Sequence, residues 1–152
     1  MNTIEIRHAL RTCRFTSTLF ENVVAANELP RTSEHHRGAY VVNTHENYLP
    51  GEHWVVVHYT KDRLIYFDSY GLPPPDNIYR ALLNTGALVG RELSYFNQRV
   101  QGIRNTCGLH CIYFILTLAS PSHTMNIFNH DLDFNDRLVV KLVSSIFDLR
   151  RK

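Results

Sequence analysis

The alternation of apolar and polar residues divides the chain into short elements of two periods. Thr3 to Cys13 carries Ile4, Ile6, Ala9 and Leu10 at helical spacing, which predicts a short N-terminal helix. The segment from 15 to 30 supports two readings. Thr18 to Glu21 has capping-box spacing, yet Phe20, Val23 and Val24 suit an extended segment ending at Leu29-Pro30 equally well. Arg31 to Arg37 is polar and reads as a loop. Gly38 to Thr44, rich in aromatic and β-branched residues, reads as a strand, and Pro50-Gly51 as a turn. His53–Tyr59 and Leu64–Ser69 are apolar on both alternating faces, as expected of central strands covered on each side, with Thr60 to Arg63 as the hairpin between them. After Pro73-Pro74-Pro75, Asp76 is placed to cap a helix over Ile78 to Leu83 that Asn84-Thr85-Gly86 ends. Arg91 to Val100 is a further strand candidate. Cys107 to Ala119, with Asn105 or Thr106 as cap, is apolar nearly all round and predicts a helix buried in the middle of the molecule. The last helix is expected from about Asn135 to Leu149, with Leu138, Val139, Leu142, Val143, Ile146 and Leu149 on one face.

These elements predict an α+β fold. It is expected to be a single domain over residues 1–152, with a central, mostly antiparallel sheet, a buried helix beginning at Cys107, and flanking helices. At 152 residues with 44% hydrophobic and 20% charged content, the chain can bury one ample core without a second domain. A net charge of +2 does not by itself argue for a nucleic-acid partner. Arg7, Arg11 and Arg14, and Arg150-Arg151-Lys152, are expected to be solvated basic patches. Three cysteines, Cys13, Cys107 and Cys111, are too few for a disulfide framework and point to a reducing compartment. The longest apolar run, broken by His110 and Thr117, is too short to span a membrane, so no membrane association is expected.

The candidate chemistry begins at Cys107. A cysteine opening a helix meets unpaired backbone N–H groups and the positive end of the helix dipole, both of which favour the thiolate. Hairpin parity tests for a base. If the connection is even, with Thr60 facing Arg63, then Val55 pairs with Asp68, and His53 lies one diagonal step away on the same face. His53 and Asp68 can then bond, the carboxylate fixing the imidazole tautomer. An odd loop or a bulge separates them. Six residues before the cysteine, Gln101 can offer a side-chain N–H beside the backbone N–H of Cys107, and two such donors make an oxyanion hole. Each residue alone has a plainer structural reading; the combination favours chemistry. A zinc site on Cys107, His110 and Cys111 lacks a second Cys/His pair at suitable spacing and is not favoured.

Three segments carry a family resemblance: Gly51-Glu52-His53-Trp54-Val55-Val56-Val57, Leu64-Ile65-Tyr66-Phe67-Asp68-Ser69-Tyr70-Gly71, and Val100-Gln101-Gly102 through Cys107-Gly108-Leu109-His110-Cys111. Together they resemble the adenovirus-type (adenain-like) cysteine proteases of large DNA viruses and virus-like transposons. The order His, Asp, Gln, Cys also fits the wider group that includes the SUMO-specific proteases, and the six-residue gap from Gln101 to Cys107 is closer to the SUMO-protease pattern. The resemblance implies His53 as general base, Asp68 as its orienting acid, Cys107 as nucleophile and Gln101 as oxyanion donor. The implied activity is thiol-dependent hydrolysis of peptide bonds after glycine in viral precursor or capsid proteins, in the host nucleus or virion. The residues themselves call for no cofactor, whereas the resemblance admits DNA or an activating peptide. The chain lacks, between Arg80 and Val100, the cysteine by which adenovirus enzymes tether such a peptide. Two alternatives are a protease that removes a ubiquitin-like modifier with the same four residues, and an inactive protease-like binding module. Oligomeric state has no sequence signal.

Overall fold

The computed structural model describes residues 1–49, 53–120 and 122–147. Its elements are α1 (Thr3–Thr12), β1 (Phe20–Ala25), β2 (Gly38–Asn43), β3 (Trp54–Tyr59), β4 (Arg63–Phe67), α2 (Asp76–Asn84), β5 (Glu92–Tyr95), α3 (Cys107–Ala119) and α4 (Leu132–Ile146), with single 3₁₀ turns at Ala26–Glu28 and Met125–Ile127. The five strands form one sheet in chain order. β2, β3 and β4 are antiparallel to one another, but β1 lies parallel to β2 and β5 parallel to β4. The sheet is therefore mixed rather than mostly antiparallel. Parallel neighbours need a crossover, and residues 26–37 and the α2 segment supply the two connections that a hairpin cannot.

Each face of the sheet has its own core. On one, Val41, Val56 and Phe67 pack with Ile6 and Leu10 of α1, Ile112 and Ile115 of α3, and Val139 and Val143 of α4. On the other, Val42, Val55, Val57, Leu64 and Tyr66 pack beneath Ile78 and Leu82 of α2. Cover on both sides explains the unbroken apolar runs of β3 and β4. Ile112, Ile115 and Leu116 are each fully buried, worth about 1.5–3 kcal/mol apiece in area removed from water. That burial fixes α3 in the middle of the molecule. No helix among the described residues is long and apolar enough to cross a membrane.

Several boundaries moved, each for a local reason. The ambiguous segment is a strand, β1, and the capping box is instead at the chain start. There the Asn2 side chain accepts from Glu5 N at 2.9 Å and Glu5 Oε2 accepts from Asn2 N at 2.8 Å. Asp76 does not cap α2: the Pro75 carbonyl accepts the first helical bond, from Tyr79 N at 2.9 Å, and Asp76 is the first helical residue. The strand expected over Arg91 to Val100 forms a ladder only through Glu92–Tyr95; beyond it β4 has ended, and single bonds from Phe96 N to Tyr66 O at 3.0 Å and from Val100 N to Ser69 O at 2.9 Å hold the chain instead. α4 starts three residues early, at Leu132, because the Asp131 carboxylate accepts from Phe134 N at 3.0 Å. The Pro50-Gly51 turn, Leu149 and the Arg150-Arg151-Lys152 cluster lie outside the described residues.

Candidate active site

The β3–β4 hairpin has the even connection on which the site depends. Thr60 N donates to Arg63 O at 2.9 Å, and the ladder runs from Tyr59 opposite Leu64 to Val56 opposite Phe67. Continued one step, that register sets Val55 against Asp68. His53 stands just before β3 and Asp68 just after β4, and His53 Nε2 meets Asp68 Oδ1 at 2.7 Å. The pleat alone would aim both side chains toward α2, since Val55 and Tyr66, two residues inward, lie on that face. Their place at the ends of the strands lets them turn to the start of α3. Asp68 opens a turn in which Gly71 N donates to Asp68 O at 2.8 Å and Gly71 takes a φ of +73°. Within it, Tyr70 N donates to Asp68 Oδ1 at 2.8 Å, and the Tyr70 ring stacks on the His53 imidazole with centroids 4.8 Å apart.

Cys107 is the first residue of α3 and is 4% exposed. Its thiol donates to Asn105 Oδ1 at 3.9 Å, and it lies close enough to His53 for each to shift the other's titration. Because Nε2 of that ring is committed to Asp68, Nδ1 is the nitrogen left for the sulfur. Burial pulls the imidazole pKa down, but the bonds to Asp68 and Cys107 and the charges of both outweigh it, and His53 stands at about 9. Burial likewise pushes the Cys107 thiol up, yet the bond to His53, backbone N–H groups of Trp54 and Gly108, and the imidazolium charge hold it below its ordinary value. The two shifts together favour a thiolate–imidazolium pair. Cys111, one turn further on, goes the other way: complete burial, then the charges of Cys107 and Asp68, keep it a neutral thiol. All three cysteines are free.

Gln101 is 1% exposed and tied to the Asp68 turn, its backbone N donating to Ser69 O at 3.0 Å. The Ser69 hydroxyl donates to Gln101 Oε1, which fixes the orientation of the amide. Gln101 Nε2 then donates to Arg104 O at 2.8 Å and reaches the Tyr70 hydroxyl only at 3.5 Å. One N–H is strongly held and the other weakly. The Cys107 N–H, at the first helical position, has no helical carbonyl four residues behind it. Thus His53, Asp68 and Cys107 form one connected set, and Gln101 joins it through Ser69 and Tyr70.

The sequence reading gave no role to Ser69, Tyr70 or Asp136. Asp136, fully buried on α4, accepts bonds from the loop between Gln101 and Cys107. Its signal was a carboxylate three residues before Val139, on the apolar stripe of the last helix. Thr106 is the N-cap residue of α3, but its hydroxyl donates to Asp136 at 2.9 Å rather than capping the helix. Among the described residues, no group of three or more His, Cys, Asp or Glu side chains is arranged to hold a metal ion.

No family model and no curated protein matches this chain. Among solved structures it is similar to the ASFV pS273R protease, with 22% sequence identity and a TM-score of 0.47 over 75% of this chain and 45% of that one. The chain therefore spans less than half the length of that protease.

Proposed function

We propose that this chain is a cysteine endopeptidase that hydrolyses peptide bonds after glycine in precursor or capsid proteins of a virus or virus-like element. The observation that carries this reading is that Asp68 holds His53 at 2.7 Å while His53 in turn lowers the pKa of the Cys107 thiol at a helix start. The preference for glycine and the viral substrates come from the sequence resemblance.

In this reading the Cys107 thiolate attacks the scissile carbonyl carbon, and the carbonyl electrons move onto oxygen. The Cys107 N–H and the weakly held Gln101 N–H receive that oxyanion. When it collapses, the C–N bond breaks, the His53 imidazolium gives its proton to the leaving amine, and a thioester remains on Cys107. His53, now neutral, takes a proton from water as the hydroxyl attacks the thioester, which releases the acid and restores the pair. Asp68 holds the ring throughout.

The test is cleavage of a peptide library rich in Gly-Gly-X and Gly-X-Gly, alongside a ubiquitin-like fusion protein, with and without DNA. Cleavage after glycine in the library, abolished by Cys107→Ala, is expected. Preferential cleavage of the fusion would move the assignment to deconjugation. No turnover by the wild-type protein in any arm, with a thiol-reactive probe failing to label Cys107, would overturn both.

A further inference from the structure

The loop from Gln101 to Cys107 has little regular structure of its own, and one carboxylate on another helix gathers its donors. Gly102 N donates to both oxygens of Asp136, at 3.0 and 3.1 Å. Arg104 N reaches Oδ2 at 3.3 Å, the Thr106 hydroxyl donates to Oδ1 at 2.9 Å, and His110 Nε2 lies 3.2 Å from Oδ1. Asp136 and His110 are both fully buried at the side chain. Burial, its largest influence, holds the His110 imidazole below its ordinary pKa despite the adjacent carboxylate, so the neutral ring donates from Nε2. The loop can come this close only because residue 102 is glycine. A Cβ there would lie 2.8 Å from Asp136 Oδ2 and 3.2 Å from the Leu132 backbone.

These bonds bear on the reacting centre by a short route. The Arg104 peptide is held by its N–H on Asp136, and its carbonyl receives Gln101 Nε2 at 2.8 Å and Thr106 N at 2.9 Å. Where Arg104 sits therefore decides where the second Gln101 N–H points. Thr106, also on Asp136, immediately precedes the other oxyanion donor, Cys107 N. We propose that Asp136 is a positioning residue for the oxyanion site, anchoring the loop so that the Gln101 side-chain N–H and the Cys107 backbone N–H converge on one point. This rests on the peptidase reading above for its catalytic consequence, though not for its structural one.

The test is Asp136→Asn, which keeps the shape but cannot accept from every donor, with Thr106→Val as a milder disturbance of the same anchor should Asp136→Asn fail to fold. Misplacing a donor by about 1 Å is expected to lower kcat about tenfold to a hundredfold, with KM little changed. Alkylation of Cys107 by iodoacetamide needs the thiolate but no oxyanion hole, and its rate and pH dependence should be unchanged. The double variant Gln101→Ala/Asp136→Asn should lose less than the product of the two single losses, because part of the Asp136 effect passes through Gln101 and the rest through the Cys107 N–H. Hydrogen exchange at the Gly102 and Arg104 amides should accelerate in Asp136→Asn. Wild-type turnover in the variants, fully multiplicative losses in the double variant, or equal losses in alkylation and turnover would overturn the proposal. If the wild-type protein cleaves no peptide, the peptidase reading fails, and retained protection at Gly102 and Arg104 in Asp136→Asn would separately overturn the anchoring.

Discussion

Replacing Asp68 by alanine removes the leading support of the His53 imidazolium. That imidazole stands at about 9 rather than 6.5, and at roughly 1.4 kcal/mol per pH unit the difference is about 3 kcal/mol in favour of the charged ring, net of burial. The two side chains are only 13% and 7% exposed, so solvent screening takes little off this figure. Asp68 is first among the influences that raise the pKa, so its loss should forfeit a large part of this preference, on the order of tenfold in the population of the ion pair. The sign follows from the active form. The pair appears as pH rises through the lowered thiol pKa and disappears as pH rises through about 9, where the imidazolium loses its proton. In Asp68→Ala the alkaline limb of kcat/KM should therefore move to lower pH. The onset of iodoacetamide alkylation should move up toward the ordinary thiol range, and kcat/KM at neutral pH should fall about tenfold to a hundredfold. Asp68→Asn should lose less, because an amide oxygen can still accept from Nε2–H and a Cys-His-Asn arrangement is competent in papain-like proteases. Unchanged alkylation and rate profiles in Asp68→Ala would refute the reasoning.

Gln101→Ala should lower kcat by about 10²-fold to 10³-fold, the usual loss for one oxyanion donor, and steady-state kinetics on a cleaved peptide will read it. Cys111→Ser should keep substantial turnover, since that thiol is fully buried and held neutral, while costing on the order of 1 kcal/mol for a buried hydroxyl by urea unfolding. If Cys111→Ser is as inactive as Cys107→Ala, the wrong thiol has been assigned. Gly71→Ala should destabilise by more than about 1 kcal/mol in the same titration, because the backbone there has a φ of +73° and a Cβ would meet Arg99 N and the Gln98 backbone at 2.7 Å.

Much of this arrangement was legible wherever the physics is local. An even loop from Thr60 to Arg63 sets parity in a two-stranded ladder, so the approach of His53 to Asp68 followed from counting residues. The apolar surface of Cys107–Ala119 required burial whatever surrounded it, and the buried helix is α3. Gly86, at a φ of +80°, ends α2 where the Asn-Thr-Gly triplet indicated. Strand direction was less accessible. Whether β1 and β5 run parallel or antiparallel to their neighbours depends on the path of residues 26–37 and of α2, and no residue pattern within the strands encodes that path.

The sequence by itself determined which residues carry reactive groups, that Cys107 opens an apolar helix, and that His53 and Asp68 share a register. Tertiary structure alone decided that His53 and Asp68 leave the pleat at the ends of β3 and β4 and meet there. It also decided the environments that part the two thiols, lowering Cys107 and raising Cys111 where the sequence offered only a helix start. The physical reason is that a thiol's pKa follows its partners and its burial: His53 and two backbone N–H groups reach one sulfur, while the other lies fully buried with only negative neighbours. The same holds for Asp136, a carboxylate 30 residues beyond Thr106 whose bonds to Gly102, Arg104 and Thr106 arise only when α4 packs against α3.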